Sequence, residues 1–276
     1  MSGARERIVD CHAHVLDPVR FPYANGVWYR PAGQEIAPRE QMGALFSAHG
    51  VTHALLVEPN SGYDYDNRCM LDAIARGGGR YKGIAVVRDD ASRGELEDLK
   101  AAGIVGVAFN VALKGVDFYR GAGRLLERLR DLELWADVQV EHDQLVAVRP
   151  LFEASGVRIV FDHGGRPHPP AGLVQPGFAA LLAMAATGRA AVKLSGYAKF
   201  SRVPHPHEDA WPYVQALLEA YTPHALVWAS DWPFLLAPVR VDYGPLMALF
   251  ERLVPDAAAR RAMMWDTPHR LFGFGD

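Results

Sequence analysis

Three short stretches of the 276-residue sequence carry side chains that could act on one point. Asp10-Cys11-His12-Ala13-His14 places two imidazoles two residues apart. Asp162-His163-Gly164-Gly165-Arg166-Pro167 adds a third imidazole, a guanidinium, and two glycines that allow close backbone approach to a ligand. In Ser230-Asp231-Trp232-Pro233 a carboxylate follows a Val-Trp-Ala run, a costly place for a charge unless it is paired or used. Imidazoles at i and i+2 on a strand end can converge on a metal ion or on a substrate oxygen. Each stretch also has a plain reading: a loop His pair, a Gly-rich turn, an N-cap aspartate. Their joint placement decides between the two readings.

That placement follows from the elements. Eight short apolar runs recur: Ile8–His14, Thr52–Glu58, Lys82–Val87, Ile104–Val111, Trp135–Val140, Val157–Asp162, Ala190–Ser195 and Ala225–Ser230. Each has strand length and is followed by a stretch with helical spacing. The helical stretches are Arg39–His49, Asn67–Arg76, Arg93–Ala102, Gly123–Leu132, Leu145–Ala154, Gly177–Ala186, Trp211–Tyr221, Tyr243–Leu253 and Asp256–Met264. Pro38, Pro150, Pro176, Pro212 and Pro245 are expected near helix starts, where a missing N–H costs little. Eight right-handed strand–helix units close into a single α/β domain over residues 1–276, a (β/α)8 TIM barrel. A doubly wound open sheet is the competitor, but no Gly-rich turn follows the first run. The three stretches then lie at the C-terminal ends of strands 1, 6 and 8, where such barrels keep their active sites. Strict alternation puts Asp10, His12 and His14 on one face and Cys11 and Ala13 on the other, with Asp10 expected to orient one of the histidines.

Composition excludes other classes. Half the residues are hydrophobic and 22% are charged, enough for a large core. Lys plus Arg is 29 against 32 Asp plus Glu, so nothing points to nucleic acid or an anionic membrane. Two cysteines cannot build a disulfide framework, and Met1–Arg7 has no apolar stretch, so a cytoplasmic protein without a signal peptide is expected.

These motifs, with Phe21-Pro22-Tyr23, Tyr29-Arg30-Pro31, Asp66-Asn67 and Phe109-Asn110, resemble the amidohydrolase superfamily, and within it the group of 2-pyrone-4,6-dicarboxylate lactonases and related sugar-lactone and sulfomuconolactone hydrolases. The resemblance covers nearly the whole chain. It implies hydrolysis of a lactone of aromatic-catabolism or sugar-acid type. His12, His14 and His163 match residues that polarise the scissile carbonyl, and Asp231 matches the one that handles the proton of the attacking water. Such a carboxylate can later pass the proton to the leaving oxygen. Tyr29 and Arg166 match groups that hold substrate carboxylates. Ala108, Lys114 and Lys199 stand where the pattern has Arg, and Glu141 where it has an aromatic. Replacing a bidentate Arg removes a carboxylate clamp, and a Glu repels a dianion. The expected substrate is therefore a lactone with one acidic group, or a neutral polyol lactone bonded by Glu141 and His142. Asn110, Ser61 and Tyr197 complete the expected substrate-binding set, with Trp28, Tyr63 and Tyr65 as further wall candidates.

Binuclear members of the superfamily carry a modified Lys on strand 4, which this chain lacks. No cofactor is expected to be required, the alternative being one zinc on His12, His14, His163 and Asp231. The competing activity is a zinc-dependent non-oxidative decarboxylase. The partner is a small-molecule lactone, with no nucleic acid and no membrane, and the sequence leaves the oligomeric state open.

Overall fold

The eight apolar runs become eight strands in a computed structural model that describes residues 7–275. All of Met1–Arg7 except Arg7 lies outside the described residues. The strands are β1 Val9–Ala13, β2 His53–Val57, β3 Tyr81–Ala85, β4 Ile104–Asn110, β5 Trp135–Gln139, β6 Arg158–Phe161, β7 Ala190–Leu194 and β8 Leu226–Trp228. They pair in chain order, every pair parallel. Helices cross over between them within two residues of the expected bounds, from Arg39–Ala48 to Tyr243–Leu253. Pro38 caps its helix and Pro176 and Pro212 sit in first turns, but Pro150 lies inside Gln144–Ser155, where it removes a main-chain donor. The last expected helix runs only over Ala257–Arg261 before a π-helical stretch, Ala262–Asp266. Among the described residues no helix is long and apolar enough to cross a membrane.

Inward residues alternate with residues under the helices. Ala54, Leu56, Val107, Phe109, Ala136, Val138, Val192 and Leu194 join the outer cluster. Val9, Leu55, Val57, Ile84, Val160, Ala191 and Val227 form the inner one, where Trp265, Phe272 and Phe274 of the C-terminal segment pack against them. The ring closes just past β8. Asp231 donates its N–H to the His12 carbonyl and His14 donates its own to the Trp232 carbonyl, both at 2.8 Å.

β1 departs from strict alternation. Its register against β2 slips between Asp10 and Ala13, so the strand carries a bulge there. Cys11 therefore joins the inner cluster with Val9, while Ala13 joins the outer one. Asp10 does not share a face with the histidines and orients neither ring. Its carboxylate accepts from Ser230 N (2.9 Å) and from Tyr243 Oη (2.8 Å), tying β1 to the strand end after β8 and to the helix outside it.

Candidate active site

The site is layered. Deepest lies Lys193 of β7, 0% exposed, on the same inward parity as Ala191. Its Nζ is 2.7 Å from Asp137 Oδ1 and 2.9 Å from Asp162 Oδ1. Burial alone would lower the Lys193 pKa, but the two carboxylates outweigh it and raise it, so the amine stays protonated. Burial pushes Asp137 up to about 8, so it is the first of the pair to take a proton. Lys193 and His12 overcome the same burial at Asp162 and hold it well below the usual carboxylate range.

Above this ion cluster three imidazoles meet one carboxylate oxygen. Asp231 Oδ1 lies 3.6 Å from His12 Nε2, 3.6 Å from His14 Nε2 and 3.8 Å from His163 Nε2. That oxygen is buried and accepts no hydrogen bond from any of the described residues. The other, Oδ2, is 3.0 Å from Lys199 Nζ. The main chain helps to aim the groups: His163 and Asp231 adopt left-handed backbone, with φ of 51° and 66°. Non-glycine residues avoid that region, and it costs on the order of 1 kcal/mol or more each. A side chain at Gly196 would strike the His163 ring, with contacts of 2.6 Å, so a glycine there keeps the ring in place.

Each ring is held from behind. His14 Nδ1 is 2.8 Å from the Val57 carbonyl, His12 Nδ1 is 3.1 Å from Asp162 Oδ1, and His163 Nδ1 is 2.9 Å from Ser195 Oγ. A carbonyl only accepts, so His14 Nδ1 carries a hydrogen, and without a second proton the ring's Nε2 faces Asp231 as an acceptor. Two acceptors that face each other need a proton or a cation between them. The separations suit a cation: around a tetrahedral zinc with bonds near 2.0–2.1 Å, donor atoms stand roughly 3.3–3.5 Å apart. His12, His14 and Asp231 form one buried group able to hold a metal, and His12, Asp162 and His163 a second that shares His12.

Burial lowers the His12 pKa to about 4 and His163 well below its ordinary value. Burial raises Asp231, but Lys199 and the adjacent imidazoles outweigh it and hold that carboxyl well below the usual range. For the protein without a bound ion the sign is then clear for activity that needs neutral His12 and His163 rings and an ionised Asp231. Falling pH protonates His12 before Asp231, so the acidic limb of kcat/KM is expected near pH 4 and reports the imidazole. More than half the plateau should remain at pH 5. A limb centred near 6.5 would show rings open to solvent.

Over the cluster opens a cavity of about 380 Å³. It brings in Ser61, Asn110, Glu141, Arg166 and Lys199 as expected from sequence, along with Trp28 and Ala108. Three expected contacts are not at the cavity wall. Tyr29 donates its hydroxyl to Glu35, Lys114 pairs with Asp64 at 3.6 Å, and Tyr197 is buried behind the wall with its hydroxyl unpartnered. In each case a nearer polar partner or the local packing takes up the side chain. Tyr63 is likewise buried, its hydroxyl accepting from Asp17 N. Glu141 is not a free negative charge, because Arg166 Nη2 sits 3.0 Å away. His142 lines a neighbouring groove and stacks edge-on to His168. Glu58, Asp137, Asp162 and Gln139 also line the cavity, although sequence reasoning assigned them no role.

The profile of the family described as Amidohydrolase matches residues 9–274. The 4-sulfomuconolactone hydrolase of Rhizobium radiobacter is 33% identical, the alignment covering 96% of this chain and 89% of that protein. The 2-pyrone-4,6-dicarboxylate hydrolase of Comamonas testosteroni is 28% identical over the same shares. A crystal structure from Acinetobacter baumannii, described as a probable 2-pyrone-4,6-dicarboxylic acid hydrolase with citric acid bound, superposes with a TM-score of 0.87 at 28% identity, covering 97% of this chain and 99% of that one.

Proposed function

The chain belongs to the amidohydrolase family, and from that premise we propose that it is a lactonase, a hydrolase that opens the ring ester of a small lactone with Asp231 as the base. The observation that carries this reading is the single unpartnered oxygen of Asp231 within 3.6–3.8 Å of three imidazole nitrogens at the floor of the cavity. The whole chain acts as one barrel domain.

Asp231 accepts a proton from the attacking water as its oxygen bonds to the lactone carbonyl carbon. When the ring C–O bond breaks, the same carboxyl returns the proton to the leaving oxygen, and the product is an open hydroxy acid. Lys199 keeps Asp231 ionised and fixes its orientation. The Val57 carbonyl and Asp162 hold His14 and His12 against rotation. His12, His14, His163 and Asp231 would hold one divalent ion, which when bound supplies Lewis-acid polarisation of the carbonyl and a more acidic water. The approach of three imidazole nitrogens to one carboxylate oxygen at 3.6–3.8 Å supports this reading beside the metal-free chemistry expected from sequence.

The cavity suits a neutral or singly charged lactone. Of its two cationic wall groups, Arg166 is engaged by Glu141 and Lys199 by Asp231, and Ala108 offers no clamp. Two buried, unpaired cysteines fit a reducing cytoplasm. Decarboxylation has less support, because the sequence relatives are named for lactones and a zinc site does not separate the two chemistries.

A panel of lactones followed by proton release, with the protein metal-stripped and zinc-reconstituted, tests both points. Neutral or monoanionic lactones should show the higher kcat/KM, and 2-pyrone-4,6-dicarboxylate the lower. A preference for the dicarboxylate over every alternative would overturn the charge reading. Release of CO2 from hydroxybenzoates with no lactone turnover would overturn the lactonase.

A further inference from the structure

Glu58 follows β2, lines the cavity and is 2% exposed, yet among the described residues neither of its carboxyl oxygens has a hydrogen-bond partner. A buried polar group left unpaired costs stability, so folding alone gives no reason to keep a carboxyl at this position. The other buried carboxyls of the site are engaged: Asp137 and Asp162 by Lys193, Asp231 by Lys199. The wall beyond Glu58 is uncharged and built to hydrogen-bond. Asn60 Oδ1 accepts from Asn110 Nδ2 at 3.1 Å, and Ser61 lies beside them.

We propose that Glu58 is a specificity-determining residue whose carboxyl hydrogen-bonds a hydroxyl group of the lactone, so that hydroxylated, sugar-type lactones are the preferred substrates. Burial pushes the Glu58 carboxyl well above the usual carboxylate range, toward the neutral form with one donor and one acceptor. A ring hydroxyl offers the complementary pair. A substrate carboxylate set against this wall would find no countercharge there. The proposal rests on the lactonase reading, whose failure is separable in the test.

The experiment measures kcat/KM by proton release for D-ribono-1,4-lactone and for γ-butyrolactone, the same ring without hydroxyls. It uses the full-length protein as wild type, Glu58→Gln and Glu58→Leu, with the melting temperature recorded for each. Wild type should favour the hydroxylated lactone by at least about 10²-fold, because an unhydroxylated ring leaves the buried carboxyl unpaired. Glu58→Leu should lose about 10–10²-fold on ribonolactone, chiefly in KM, gain on butyrolactone because no unpaired carboxyl faces that ring, and melt higher than wild type. Glu58→Gln keeps a donor and an acceptor and should stay within about fivefold of wild type on both. A wild-type ratio near one, or a Leu variant that loses both substrates equally and melts lower, overturns the proposal while the lactonase stands. Absence of turnover on every lactone, with all three proteins folded, overturns the lactonase reading and this one with it.

Discussion

Asp231→Asn should lower kcat by roughly 10²–10⁴-fold with the fold intact, the span over which general-base catalysis contributes. The amide keeps the shape and the approach to Lys199 but cannot take up a proton. The effect is assigned to this residue because the rival carboxyls are committed or neutral. Glu141 is bonded to Arg166, Asp162 to Lys193 and His12, and burial pushes the Glu58 carboxyl toward its neutral form. Glu141→Gln should accordingly move KM or substrate preference more than kcat. Circular dichroism and a melting curve establish folding, and steady-state kinetics on the best lactone of the panel read the loss. A folded Asp231→Asn that keeps most of its activity, beside a collapse in Glu141→Gln, would move the base to the end of β5.

Lys193→Met should destabilise the protein by about 3–5 kcal/mol, the usual cost of breaking a fully buried ion pair from one side. Methionine fills the same volume, so packing changes little. What changes is Asp162, left ionised beside a neutral imidazole with no countercharge. For a chain of this size the melting temperature should fall on the order of 10 °C. Adding Asp162→Asn to Lys193→Met should recover part of that loss, since the orphaned charge is then gone. A fall of under about 2 °C in the single variant would show that water reaches the cluster and that the layer is not a buried ion network.

Lys193 also shows where sequence reasoning stopped. An aspartate one residue past Val-Trp-Ala reads as out of place and therefore used. The same test applied to Ala-Ala-Val-Lys-Leu and to Trp-Ala-Asp-Val would have found Lys193 and Asp137, both on inward parity within their strands. Strand-end motifs drew attention away from strand middles. The barrel and the convergence of His12, His14, His163 and Asp231 were legible, because period-two runs and strand ends encode them directly. The face of Asp10 was not, because one bulged residue inverts the parity of everything before it and leaves no mark in hydropathy. Tyr29 and Lys114 are expected from likeness of position, and Tyr197 from its place on a strand-end loop. Their true partners, Glu35 and Asp64 for the first two, lie where only three-dimensional contact reveals them.

The closure of the ring has a consequence for how such a protein can change over generations. The two main-chain bonds past β8 belong to His12, His14, Asp231 and Trp232, so three of the four converging residues are also the seam of the barrel. A change that displaces the main chain at any of them strikes catalysis and folding together, whereas a side-chain exchange such as Asp231→Asn leaves the two bonds in place. The ends of β2, β4 and β5 carry no such double duty. Glu58, Ala108 and Glu141 stand there, and each can be exchanged without opening the ring. Substrate choice can therefore be retuned at the ends of β2, β4 and β5 without touching the main-chain seam between β1 and the segment past β8.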